Sequence, residues 1–95
     1  MAFALYTFPA GERSFKKLPR SVRKHILSEL QVLCENPFTG YPLKGKLKDF
    51  YSFHLKYKNI AYRVVYKVET ASQSIVIYYA STRENFYKNL EQALF

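Results

Sequence analysis

The sequence predicts an α+β fold: a small antiparallel sheet, mixed at its N-terminal strand, packed against an N-terminal helical hairpin and joined by a C-terminal helix. Two changes of period and one compositional fact lead there. Val22, Ile26, Leu30 and Leu33 recur at spacings of four, four and three, which lays one apolar stripe along a helix. From Tyr51 to Val68 apolar residues alternate instead with polar ones, the period of half-buried strands. The chain has 95 residues, 48% of them hydrophobic and 18% aromatic, with only 3 Gly and 4 Pro. That composition suits one folded domain, residues 1–95, with a modest core.

The elements follow in order. Phe3 to Phe8 is short, aromatic and apolar, and Pro9 ends it, as for a strand. From Ala10, Phe15 and Leu18 mark a short helix closed by Pro19, a residue that also suits the first turn of the next helix. That second helix carries the Val22 stripe until Asn36 and Pro37 stop it, and the basic faces of both helices point outward. Phe38 to Gly45 is a connection. Tyr51, Phe53, Leu55 and Tyr57 then share one strand face while Ser52, His54, Lys56 and Lys58 share the other. After a turn near Asn59, Tyr62, Val64, Tyr66 and Val68 form a matching apolar face, with Arg63, Val65 and Lys67 opposite. Ser74 to Ala80, rich in Ile, Val and Tyr, reads as a central strand covered on both faces, reached through a turn at Glu69 to Gln73. From Arg83 the pattern is helical, with Phe86, Leu90 and Leu94 as its stripe, and Ser81 with Glu84 has the spacing of a capping box.

Fifteen Lys and Arg against seven Asp and Glu leave a formal charge of +8. Six of the basic residues (Arg13, Lys16, Lys17, Arg20, Arg23, Lys24) fall in one short stretch, and Lys44, Lys46, Lys48, Lys56 and Lys58 form a second group. Such patches suit a phosphate backbone, an acidic protein segment or an anionic surface, and the plainer reading is a solvated face. Cys34 is the single cysteine, so an intrachain disulfide and a zinc ribbon are excluded and a reducing cytoplasm is expected. No apolar run approaches the roughly 20 residues of a membrane span, and MAFALYTF is too short for a signal peptide, so no membrane partner is expected. With two histidines on separate elements and one cysteine, no metal cluster and no cofactor is expected.

The chemistry is sought on the strand face opposite the helices. If Lys58 and Asn59 form the turn of the 51–68 hairpin, His54 lies directly opposite Arg63; if Asn59 and Ile60 form it, Lys56 does. Both registers make His54, Lys56 and Arg63 neighbours on one face. An imidazole beside cations can bind an anion and is held neutral by them. Arg83 and Tyr87 stand i and i+4 at the start of the terminal helix and share a face, and that helix start favours phosphate. His25 reads as structural or solvated, Cys34 as a small buried hydrophobe, and Tyr51 and Tyr62 as packing on the helices.

These residues also carry a resemblance. The order of strand, basic helical hairpin, Asn-Pro, a Leu-Lys-Gly segment, a hairpin ending AYRVVYKV (61–68) and then STRENFY (81–87) resembles the RelE/ParE superfamily of toxin–antitoxin toxins over nearly the whole chain. The resemblance implies a RelE-like fold, a cognate antitoxin partner in a hetero-oligomer and, for the RelE branch, cleavage of mRNA in the ribosomal A site. It implies that Arg63 contacts the scissile phosphate, that Arg83 neutralises the transition state or protonates the leaving oxygen, and that Tyr87 orients or activates the nucleotide. Two lysines found in some RelE nucleases are Ser52 and His54 here.

The reaction expected is a metal-free transesterification, with His54 as the base, Arg63 and Arg83 for charge, Tyr87 for stacking or proton transfer, and no residue assigned as the acid. Lys44, Lys46, Lys56 and Lys58 are the candidate RNA-phosphate contacts. The leading expectation is a ribosome-dependent mRNA endonuclease that inhibits translation. Its alternatives are a non-catalytic, ParE-like poison of DNA gyrase and an inactive binding module of the same fold.

Overall fold

The computed structural model describes residues 2–86, 90 and 94. Among them the chain forms β1 (Ala4–Thr7), α1 (Pro9–Lys16), α2 (Arg20–Glu35), β2 (Tyr41–Pro42), β3 (Tyr51–Tyr57), β4 (Ile60–Glu69) and β5 (Ser74–Thr82), with 3-10 turns at Gly45–Leu47 and Arg83–Asn85. The strands make one sheet in the order β1-β5-β4-β3-β2, with β1 parallel to β5 and every other pair antiparallel. This is the α+β architecture expected, with its mixed N-terminal strand.

The helical hairpin packs on one face through the residues the periodicity selects. Val22, Ile26, Leu30 and Leu33 are buried against Phe53, Tyr62, Val64, Tyr66, Ile75 and Ile77, while Phe15 and Leu18 pack at the margin. Each such aliphatic side chain contributes about 1.5–3 kcal/mol by leaving water. Arg13, Lys16, Lys17, Arg20 and Lys24 are exposed, as expected. Pro9 opens α1 rather than merely ending β1, because a first-turn residue has no intrahelical use for an N–H. Helix α1 lies unusually close to β5: a Cβ on Gly11 would run into the Ile77 carbonyl oxygen. Ser14 fixes that approach, its hydroxyl donating to the Gly11 carbonyl at 2.8 Å and accepting the Ala80 N–H at 3.0 Å.

The opposite face carries a second cluster of Leu47, Phe50, Val65, Phe86 and Leu90, flanked by Leu43, Tyr78, Tyr79 and Leu94. The strand β5 is therefore covered on both sides. Phe86, Leu90 and Leu94 have helical backbone, with the first two buried. The rest of the expected terminal helix, Tyr87 included, lies outside the described residues.

Two expectations are corrected. The 38–45 connection contains a strand, β2, whose Tyr41 and Pro42 pair with Ser52 and Tyr51. Two residues, one of them proline, are too short to show a period. Ser81 does not cap a helix: β5 runs on to Thr82, Ser81 pairs with Arg63, and its hydroxyl donates to the Thr82 carbonyl at 3.0 Å. Thr82 precedes the 3-10 turn and makes no side-chain cap bond. The register of β5 against β4, which the alternation leaves open, slips by one residue: Val65 faces Tyr79 and Tyr66 faces Ile77, leaving Tyr78 as a bulge.

Candidate functional site

The site begins with a turn. Lys58 and Asn59 both have left-handed backbone, φ 51° and 68°, which matches the right-handed twist of a two-residue hairpin. This turn pairs Tyr57 with Ile60 and sets His54 directly opposite Arg63. Of the two registers open from the sequence, the structure takes the Lys58–Asn59 one. Arg63 in turn faces Ser81, two residues before Arg83. Three strands thus deliver one imidazole and two guanidinium groups to the same end of the sheet.

His54, Lys56, Arg63 and Arg83 line a shallow depression of about 350 Å³, floored by Leu55, Ala61 and Tyr62. Lys56 and Arg83 also line an adjoining hollow of about 490 Å³ beside the β3–β4 turn, where Glu84 adds one carboxylate. The second apolar cluster stops short of these groups: His54 and Lys56 are exposed and Arg63 is half-buried at its border, its guanidinium carbon 5.9 Å from the Phe86 ring centre.

His54 is not an ordinary exposed imidazole. Partial burial pushes its pKa below the usual 6.5, and the charge of Arg63 pushes it further the same way. The burial has a visible source, because the Tyr41 ring lies over the imidazole with centroids 4.7 Å apart and planes tilted by 33°. At neutral pH the ring is therefore neutral and able to take a proton. Reading side-chain parity in the sequence found His54, Lys56 and Arg63; it missed Tyr41, which sits on the strand that went unseen.

The remaining expected residues are distributed as follows. Lys44 and Lys46 are exposed at the 3-10 turn of the 43–50 connection and do not line the depression. Lys58 is exposed in the hairpin turn, its ammonium 5.4 Å from the Tyr57 ring centre. Tyr87 falls outside the described residues. Ser52 is fully buried, and its hydroxyl finds no hydrogen-bond partner among the described residues. On the helix side His25 stacks on Tyr57 at 4.5 Å with the Glu29 carboxylate 3.5 Å away, a structural setting. The Cys34 thiol is pushed up by burial and by Glu35, which makes it a poor nucleophile. Among the described residues no three His, Cys, Asp or Glu side chains gather as metal ligands, and no helix is long and apolar enough to cross a membrane.

Comparison with solved structures places this arrangement in a known fold. The toxin–antitoxin complex RelBE2 of Mycobacterium tuberculosis contains a chain 21% identical to this one, with a TM-score of 0.75, covering 87% of this chain and 100% of that one. The free E. coli toxin RelE, in a double arginine-to-alanine mutant, is 21% identical with a TM-score of 0.77, covering 98% and 94%. A chain of the archaeal RelE–RelB complex of Pyrococcus horikoshii is 20% identical with a TM-score of 0.61, covering 87% and 97%. No curated protein sequence matches. The family model of the ParE-like toxins of type II bacterial toxin–antitoxin systems matches residues 5–91. With nearly its whole length inside that match and its strands in the RelE arrangement, the chain belongs to the ParE-like toxins of type II toxin–antitoxin systems, within the RelE/ParE superfamily.

Proposed function

We propose that this toxin is a ribosome-dependent mRNA endonuclease that works without a metal and is neutralised by a cognate antitoxin. The observation that carries the reading is the convergence of a neutral imidazole, His54, with Arg63 and Arg83 on one open basic surface. The reaction these residues suit is transesterification. His54 takes the proton of a ribose 2′-OH, and that oxygen attacks the adjacent phosphorus in line. Arg63 and Arg83 hold the negative charge of the phosphorane, the bond to the 5′ oxygen breaks, and a 2′,3′-cyclic phosphate remains. The departing oxygen takes up a proton, and Tyr87 is proposed for base stacking or for proton transfer. Lys44, Lys46, Lys56 and Lys58 extend the cationic surface along which an RNA backbone would lie, and Lys56 belongs to the depression itself.

Cytoplasmic action on mRNA in the ribosomal A site and pairing with an antitoxin belong to the same proposal. The structural neighbours support the antitoxin, since two of them are complexes of a toxin with its antitoxin. An acidic antitoxin segment lying on the basic surface would close the site.

A second reading is non-catalytic poisoning of DNA gyrase. The ParE-like family match favours it, as does Ser52, a buried hydroxyl where some RelE nucleases resemble this chain but carry lysine. Induction of the wild type, His54→Ala and Arg63→Ala in cells, with transcript ends and chromosome integrity both mapped, tests the two. Cleaved transcripts with an intact chromosome support the nuclease. Equal growth arrest in wild type and both variants removes it.

A further inference from the structure

We propose that Tyr41 is the positioning residue of His54: its ring, carried on β2 by a loop pinned to the core through Tyr66, packs on the imidazole and fixes its place opposite Arg63. Core packing does not account for Tyr41, which is 63% exposed on a strand of two residues. Its partner across the strands is Ser52, so His54 is its diagonal neighbour, a distance an aromatic side chain spans. The rings are in contact, 4.7 Å between centroids.

The segment that presents Tyr41 is tied down from inside the sheet. The buried Tyr66 hydroxyl donates to the Pro37 carbonyl at 2.7 Å and accepts the Gly40 N–H at 3.0 Å. Gly40 has no room for a side chain, because a Cβ there would meet the Tyr66 hydroxyl oxygen at 2.6 Å and the Ser52 carbonyl oxygen at 2.9 Å. Beyond β2, the Leu43 N–H bonds the Phe50 carbonyl at 3.0 Å. An exposed ring is thereby held at both ends of its short strand, which is the arrangement expected of a side chain whose position matters more than its burial. Among the described residues, the charged groups that line the depression with the imidazole are cations: Arg63 from β4, Lys56 from β3 and Arg83 from the 3-10 turn after β5. Tyr41 is the side that excludes water rather than adding charge.

The catalytic meaning of this contact rests on His54 being the proton acceptor, and the test separates the two claims. In the purified protein, the imidazole C–H signal of His54, identified by its loss in His54→Asn, is titrated by NMR in wild type, Tyr41→Phe, Tyr41→Ala and Tyr66→Phe. Tyr41→Phe keeps the ring and is expected to keep both the ring-current shift and the midpoint. Tyr41→Ala is expected to lose the ring-current shift and to move the midpoint upward, and Tyr66→Phe to do the same in smaller measure. A His54 signal indifferent to Tyr41→Ala overturns the proposal, and so does a Tyr41→Phe variant that behaves like Tyr41→Ala. For transcript cleavage, a loss of about 10- to 100-fold in kcat with KM retained is expected for Tyr41→Ala. Changed NMR behaviour with undiminished cleavage in Tyr41→Ala supports the contact and overturns its catalytic role, while undiminished cleavage in His54→Asn removes His54 as the proton acceptor.

Discussion

His54 and Arg63 are a direct cross-strand pair, and the residues that make them so are four positions away at the tip of the hairpin. The pairing gives the imidazole a cationic neighbour across the strands, which adds to partial burial, the larger cause, in lowering its basicity. Removing either member should therefore be felt in chemistry before it is felt in folding.

For the nuclease reading, Arg63→Ala is expected to lower the transcript-cleavage rate about 10²–10³-fold, the scale for loss of one charge-stabilising donor. His54→Ala is expected to lower it about 10²–10⁴-fold, the scale for loss of general-base catalysis. Circular dichroism of both variants should match the wild type, since His54 is exposed and Arg63 half-buried.

The pH dependence follows in sign. A base must be unprotonated, and the His54 midpoint lies below 6.5, so the cleavage rate should be level at neutral pH and fall on the acid side as the imidazole charges. Arg63→Ala removes the smaller of the two causes, so the NMR midpoint of His54 should move only part of the way back towards 6.5. Stability tilts the same way. The unfolded imidazole binds its proton more readily than the folded one, so this contribution is lost as pH falls through 6.5 to the folded midpoint. A pH–stability profile unchanged in His54→Gln contradicts that linkage.

Gly11→Ala is expected to destabilise. Helix propensity alone would make the change favourable by about 1 kcal/mol. The collision with the Ile77 carbonyl decides otherwise, because the obstacle is sheet backbone and cannot swing aside. A cost of about 1–3 kcal/mol in urea denaturation is the expected outcome.

Ser52 offers a pair of opposite effects. Its buried hydroxyl lacks a hydrogen-bond partner among the described residues, so Ser52→Ala should be neutral or stabilising by about 1 kcal/mol. Ser52→Lys, which writes in the residue some RelE nucleases have, forces an ammonium into a fully buried position. Thermal denaturation should show a lower Tm for it, with no gain in cleavage.

Parity made the larger part of the site legible. Alternation along 51–68 separates core face from functional face whichever turn is used, so Lys56, His54 and Arg63 came together without knowledge of the register. The register itself depended on two residues accepting positive φ, and Lys-Asn is a weaker signal for that than Asn-Gly. Tyr41 was illegible for a different reason: β2 is two residues long, and it is held by pairing with β3 and by bonds at its flanks to Tyr66 and Phe50, contacts that join positions 26 and 7 residues apart. Ser81 misled because its spacing to Glu84 suits a cap, while pairing with Arg63 keeps it in the strand.

The pairing of Ala4 with Ser74 joins β1, at the edge of the sheet, to β5, distant in sequence. Neither β1 nor Arg83 has a place until β5 is free to enter between β1 and β4, so closure of the sheet is a late and long-range event. During synthesis the emerging polypeptide holds its histidine and first arginine on an unfinished hairpin. The second arginine follows β5 directly, so the two guanidinium groups meet only once that strand has paired with β4.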